Sequence, residues 1–164
     1  MVRKRTFVWA DPSENKRQAV SSVSGLEYLR EMKDGRISPS PAGSLIGYRL
    51  IEVEKGRAVF ECDIKEYHYN PFETVHGGIM TCILDAAMTA SVLSAQPAGY
   101  SCTTVEFKMN FVRPATVENS PLQCDASAVH IGKKLATVTG ILKDRQGNIY
   151  AHGLGTCAIF KVRT

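Results

Sequence analysis

No two of the five cysteines, Cys62, Cys82, Cys102, Cys124 and Cys157, lie within four residues of each other in this chain of 164. That spacing excludes CxxC-type metal and redox motifs. The number is odd and most of the thiols fall in apolar contexts, where cysteine behaves as a small hydrophobe. A disulfide scaffold is therefore not expected, and a reducing, cytoplasmic setting is. A dominant charge sign is also missing. The formal net charge is +4, which suits an anionic small ligand but is too weak to argue for nucleic acid. The N-terminus, MVRKRTFVWADP, has an apolar run far too short for a signal-peptide core. The most apolar stretch, 79–95, contains Asp85 and several hydroxyl residues and has no flanking anchors. It reads as a buried helix rather than a membrane span. There is no internal repeat, and no low-complexity segment beyond a short Ser/Pro linker.

What remains is an ordinary globular composition, 44% hydrophobic and 22% charged, in a length that suits one core. Residues 1–20 are polar and aperiodic and read as an extended arm that begins with the basic cluster Arg3-Lys4-Arg5. Ser24 and Glu27 have capping-box spacing. They start a short helix with Leu26, Leu29 and Met32 on one face, stopped at Gly35. SPSPAGS (38–44) is a connector with a helical turn near Ala42–Ile46. Strands are expected at Tyr48–Glu54 and Arg57–Ile64 around a Lys55-Gly56 hairpin turn. A long loop ending in two glycines leads into a helix over 78–95, closed by Pro97 and Gly99. The clearest alternation, Thr104–Val112, puts Val105, Phe107, Met109 and Phe111 on one face. Strands Leu122–Ile131, Leu135–Lys143 and Asn148–Val162 follow, the last with Gly153 and Gly155 marking a bend or close packing. A helix apolar almost all round needs cover on every side, and a curved antiparallel sheet wrapped around it supplies that cover.

The chemistry concentrates in NPFETVHGGIMTCILDAAMTA (70–90). Gly77-Gly78 opens the helix, where backbone N–H groups lack internal partners and the dipole is positive. Glycine lets a ligand approach those groups closely, so this is either an oxyanion-type site for a polarised carbonyl or a flexible turn. Asn70 and His76 bracket the loop and each can donate or accept a hydrogen bond. His68, His76 and Asp85 match no common metal-ligand spacing. A carboxylate inside an apolar helix is costly to desolvate unless it has partners or a task. Either internal hydrogen bonds hold Asp85, for example from Thr81 or Thr89, or it serves a reaction. It lies eight residues beyond Gly77, about 12 Å along the axis, so one carbonyl cannot touch both within one helix. A shared reaction requires two copies of the helix side by side.

HYNPFETVHGGIMTCILDAAMTASV followed by TTVEFKMNFVRPAT resembles the PaaI-type acyl-CoA thioesterases of the hotdog-fold superfamily, over about Ile51 to Phe160. The specific parts are Asn70 six residues before His76, His-Gly-Gly opening the helix, Asp85 nine residues after His76, and the Thr104–Pro114 strand. The resemblance implies an α+β hotdog domain over 45–164, one central helix wrapped by about six antiparallel strands, after an N-terminal arm and short helix over 1–44. It implies hydrolysis of acyl-CoA at a site between two subunits of a homodimer, pairing again into a tetramer, without cofactor or metal. It gives Gly77 the role of polarising the carbonyl and Asp85 of the partner subunit that of nucleophile or general base. Asn70 and His76 line the site, and Thr104 matches a hydroxyl that holds the attacking water in relatives. Arg113, Lys133 and Lys134 are candidates to meet the CoA phosphates. Neither nucleic acid nor a membrane is implied as a partner. Tyr69, Phe72, Met80 and Met88 either shape an acyl pocket or belong to the core. Two other readings stay open: an acyl-CoA hydratase or dehydratase of the same fold, and a non-catalytic acyl-CoA-binding module.

Overall fold

A computed structural model describes residues 2–13 and 23–162; of the arm expected over 1–20, Met1 and residues 14–20 lie outside them. Helix α1 is Gly25–Lys33, and its capping box is formed: Ser24 Oγ accepts from Glu27 N while Glu27 Oε2 accepts from Ser24 N at 2.8 Å. Gly35, at φ 76°, follows its end. Helix α2 is Pro41–Ile46, with Ser40 accepting from Gly43 N at 3.1 Å and Gly47 ending it at φ 90°. Proline at the first turn and a left-handed glycine after the last are the residues those positions favour. Strands β1 (Tyr48–Glu54) and β2 (Arg57–Cys62) flank Lys55-Gly56, and Gly56 takes φ 83°. Helix α3 is Gly77–Leu93. Strands β3 (Tyr100–Phe111), β4 (Leu122–Ile131), β5 (Leu135–Lys143) and β6 (Ile149–Lys161) complete the sheet. Observed ends lie within a few residues of the expected ones, the largest difference being the start of β3 at Tyr100 instead of Thr104.

The six strands form one antiparallel sheet in the order β1-β2-β4-β5-β6-β3. The sheet curves around α3, which packs on all six strands. Met80, Ile83, Leu84, Ala87, Met88, Ala90 and Val92 of α3 are buried. The expected cover on every side is not complete: Gly78 and Cys82 are exposed and Asp85, Ala86, Thr89 and Leu93 half-buried, so the sheet wraps the helix on all but one stripe. Glycines in the sheet allow this close approach. A Cβ on Gly155 would lie 2.6 Å from Phe107 Cβ and 2.9 Å from Met88 Cε, and one on Gly140 would lie 3.1 Å from Met88 Cγ. Of the two roles expected for Gly153 and Gly155, close packing is the one observed.

The face expected for β3 is corrected by a β-bulge. The register against β6 shifts between Thr104, opposite Cys157, and Glu106, opposite Thr156, so Val105 is an extra residue. Strict alternation therefore fails there. Val105 is 59% exposed, whereas Thr104 turns toward α3 together with Phe107 and Met109. Phe111 is also largely exposed at the end of the strand. β1 and β3 are the sheet edges, and β3 offers a 12-residue unpaired side.

In the arm, Arg5 donates to Leu45 O at 2.5 Å and its guanidinium lies 4.0 Å from the Tyr67 ring centre, while Arg3 pairs with Glu66. Helix α1 docks on α3: Gly25 N donates to Gln96 O at 3.0 Å, and a Cβ on Gly25 would lie 1.9 Å from Leu93 O. Only glycine permits that contact. Among the described residues no helix is long and apolar enough to cross a membrane.

Candidate active site

The loop before α3 is held from several sides. Val75 N donates to Ala115 O and His76 N to His68 O, both at 2.8 Å. Asn70 is committed to its own loop. Its Oδ1 accepts from Phe72 N at 2.8 Å and Thr74 N at 3.3 Å, and its Nδ2 donates to Thr74 Oγ1 at 2.9 Å. This side-chain turn holds Glu73 at φ 60°, a conformation uncommon for a side-chain-bearing residue. His76 caps α3, its Nδ1 accepting from Gly78 N at 2.9 Å. Asn70 and His76 thus shape the loop and the helix start, and their hydrogen bonds do not join them to each other.

The Gly77 N–H has no acceptor among the described residues. It faces a cavity of about 410 Å³ that Asn70, Phe111 and Arg113 also line. A Cβ on Gly77 would lie 3.2 Å from Phe111 Cζ, so glycine keeps this approach open. Arg113 lies with its guanidinium 5.8 Å from the ring centre of buried Tyr150, whose hydroxyl donates to Asp144 at 2.9 Å. A free N–H at a helix N-terminus can accept a developing oxyanion, and the neighbouring guanidinium favours negative charge.

Asp85 is half-buried on another face. Its Oδ1 accepts from Thr104 Oγ1 at 2.6 Å, and Thr104 Oγ1 lies 2.8 Å from Thr89 Oγ1. Thr104 has one proton and gives it to the carboxylate, so Thr89 is the donor to Thr104. Asp85 Oδ2 takes no hydrogen bond from a described residue, and no unpartnered side-chain oxygen is fully buried there. The internal hydrogen bond to Asp85 exists, but neither Thr81 nor Thr89 makes it: Thr81 bonds Gly77 O at 2.9 Å. Asp85 borders a second cavity of about 440 Å³, between α1, β1, β2 and α3.

The thiols nearby stay protonated. Burial raises Cys82, and the Asp85 charge adds to it. Burial also raises Cys157; the Asp85 charge reinforces the shift, and hydrogen bonding to Thr104 opposes it. Burial pushes Cys102 up to about 12. Burial of this kind disfavours the thiolate, the form in which cysteine reacts. His68 is buried, its Nε2 2.8 Å from Ile46 O and its Nδ1 accepting from Lys65 N, and burial lowers its basicity. His68, His76 and Asp85 therefore have separate tasks, and no described group of His, Cys, Asp and Glu converges as a metal site.

One chain therefore brings Asn70, Gly77 and Arg113 to one cavity and Asp85 to another, with Thr104 behind it. Lys133 and Lys134 are exposed in the β4–β5 turn and line neither cavity. Thr89, expected as a direct partner of Asp85, reaches it only through Thr104. It is one helical turn from Asp85, but only the bulge in β3 carries Thr104 within its reach. Phe111 at Gly77 and the α1 residues over the second cavity were unassigned in the sequence reading.

The family model of the thioesterase superfamily matches residues 72–151. A 1,4-dihydroxy-2-naphthoyl-CoA hydrolase of Listeria monocytogenes is 30% identical over 88 residues, 54% of this chain and 70% of that protein. Human acyl-coenzyme A thioesterase 13 is 25% identical over 108 residues, 65% of this chain and 76% of that protein. A crystal structure of a phenylacetic acid degradation-related protein from Ralstonia eutropha JMP134 superposes with a TM-score of 0.71 at 26% identity, covering 80% of this chain and 98% of that one. The family-model match spans the helix and the strand that carry Gly77, Asp85 and Thr104 and begins two residues after Asn70. The chain belongs to the thioesterase superfamily and is a thioester hydrolase of the hotdog fold.

Proposed function

We propose that the protein hydrolyses acyl-CoA thioesters at two equivalent sites formed between two copies of the chain. The observation that carries this is the separation of Gly77 and Asp85 into different cavities of one chain. The Gly77 N–H polarises the thioester carbonyl, and Asp85 of the partner subunit supplies the base or nucleophile. The 12-residue free edge of β3 supports the pairing, since an unpaired edge of that length is a surface for a second strand. Pairing of such dimers into a tetramer follows from the family resemblance.

The chemistry asks little more of the protein. As general base, Asp85 takes a proton from water and the hydroxide adds to the carbonyl carbon. The tetrahedral oxyanion is held by Gly77 N–H. It collapses as the C–S bond breaks, and the CoA thiolate leaves with the proton from Asp85. As nucleophile, Asp85 adds directly, the thiolate leaves, and water cleaves the resulting anhydride. Thr104 holds Oδ1 in either case and leaves Oδ2 to act. Asn70 and His76 fix the loop and the helix start that present Gly77. Arg113, beside Gly77, is the better placed of the three basic candidates for the CoA phosphates.

Thiol release from a panel of acyl-CoAs tests this. Asp85→Asn keeps the shape but removes the base, and kcat is expected to fall at least about 100-fold with melting unchanged. Activity within threefold of wild type would remove Asp85 from the chemistry. A wild-type protein that binds acyl-CoA without releasing thiol would mark a binding module, and one that adds water across a double bond would mark a hydratase.

A further inference from the structure

The cavity that ends at Asp85 is larger than a carboxylate needs, and its walls are mostly apolar. Helix α3 contributes the small side chains Ala86 and Ala90, which open the space; β1 and β2 contribute Leu50 and Phe60. Its outer wall is α1, through Tyr28, Leu29 and Met32. Burial raises the phenols of Tyr28 and Tyr48, so both line the cavity as neutral rings. The α1 wall is fixed in place. Leu29 is 2% exposed, and Gly25 is pressed against the C-terminal end of α3. Helix α1 precedes the stretch matched by the family model, which starts at residue 72.

We propose that this cavity is the acyl-group subsite, that Met32 and Tyr28 of α1 limit the group it accepts, and that it takes a compact apolar acyl group. The proposal rests on thioester hydrolysis at Gly77 and Asp85. A carbonyl held at Gly77 of one copy has the partner subunit's Asp85 beside it, and the acyl chain then runs past that carboxylate into the apolar space that borders it. The helix that selects the acyl group thus belongs to the copy that supplies the base. At about 440 Å³ the space lies in the lower part of the range of small-molecule pockets. It has room for an aryl or medium-length acyl group and not for a long chain. Each methylene that finds apolar cover is worth about a fourfold factor in kcat/KM, so modest changes of wall position give measurable changes of profile.

Met32 tests this in both directions. The readout is kcat/KM for acetyl-, hexanoyl-, decanoyl- and phenylacetyl-CoA. Met32→Trp fills the cavity and is expected to lower the decanoyl- and phenylacetyl-to-acetyl ratios about 15-fold, the room of two methylenes. Met32→Ala enlarges it and is expected to raise the decanoyl-to-acetyl ratio. A residue with a merely structural role moves all substrates together in both variants. Calorimetric binding of decanoyl-CoA to Asp85→Asn protein, with and without Met32→Trp, reads the same wall without turnover and is expected to weaken about 15-fold. Ratios and affinity both unmoved, in an active enzyme, would overturn the subsite. Absent hydrolysis of every acyl-CoA with Met32-dependent binding would instead overturn the hydrolytic reading and leave the subsite standing.

Discussion

Thr104 reaches Asp85 because β3 carries one residue too many. The apolar alternation of Thr104–Val112 reads cleanly in the sequence, and it places Thr104 with Glu106 and Lys108 on the outer face. The bulge at Val105 reverses that assignment for Thr104 and leaves Val105 exposed. A period-two pattern contains no sign of such an insertion, so the partner of Asp85 was not readable from spacing alone. Asp85 itself was legible, since an ionised group in an apolar helix demands an explanation. The hydroxyl chain Thr89–Thr104–Asp85 makes an ordered prediction. Hydrogen bonds to charged groups contribute about 1.5–3 kcal/mol, so Thr104→Val is expected to lower kcat roughly ten- to 100-fold. Thr89→Val, one bond further out, is expected to lower kcat by less than about tenfold, with KM little changed and Thr89→Ser near wild type. Wild-type kcat in both valine variants would show that the chain does not serve the carboxylate.

At the scale of elements, the sequence marked α1, α2, α3 and the six strands because punctuation and pattern agreed, but not the short 3-10 turns at Glu66–His68 and Val117–Asn119, nor the helical residues Pro12 and Ser13 in an arm that reads as extended. Ser24 with Glu27 set the start of α1, Gly56 the first hairpin, and Gly77 with Pro97 the bounds of α3. Nor did it mark how elements meet. Gly25 reads as an ordinary residue in a capping box, yet it is the contact that seats α1 on Leu93 of α3. Gly155 reads as a weak point in a strand, yet it is where β6, β3 and Met88 of α3 come closest. Gly155→Ala would put a methyl group 2.6 Å from Phe107 Cβ and 2.8 Å from Glu106 O, neither of which is a flexible tip. Overpacking of this kind costs about 1–3 kcal/mol, and a melting temperature lower by several degrees is expected. An unchanged melting temperature would mean that the sheet moves away from the helix without cost.

At the scale of the whole molecule, a rise of 1.5 Å per residue already sets Gly77 and Asp85 about 12 Å apart. The fold keeps them apart in a second way, by giving each its own cavity on a different side of α3. On the proposed reading a single chain holds two half-sites, and a two-fold pair would complete two sites at once. The sequence made this pairing necessary for the proposed chemistry, but the surface that joins the copies leaves no motif, because an edge strand such as β3 reads like any other. Complementation tests the pairing directly. One variant carries Asp85→Ala; the other carries Asn70→Ala and His76→Ala. Each alone is expected to be nearly inactive. Unfolded and refolded together in equal amounts, about half the dimers are mixed, and each mixed dimer has one intact site. Recovery of about a quarter of wild-type activity is the result predicted; no recovery, with mixed dimers shown to be present, would contradict a site shared between two chains.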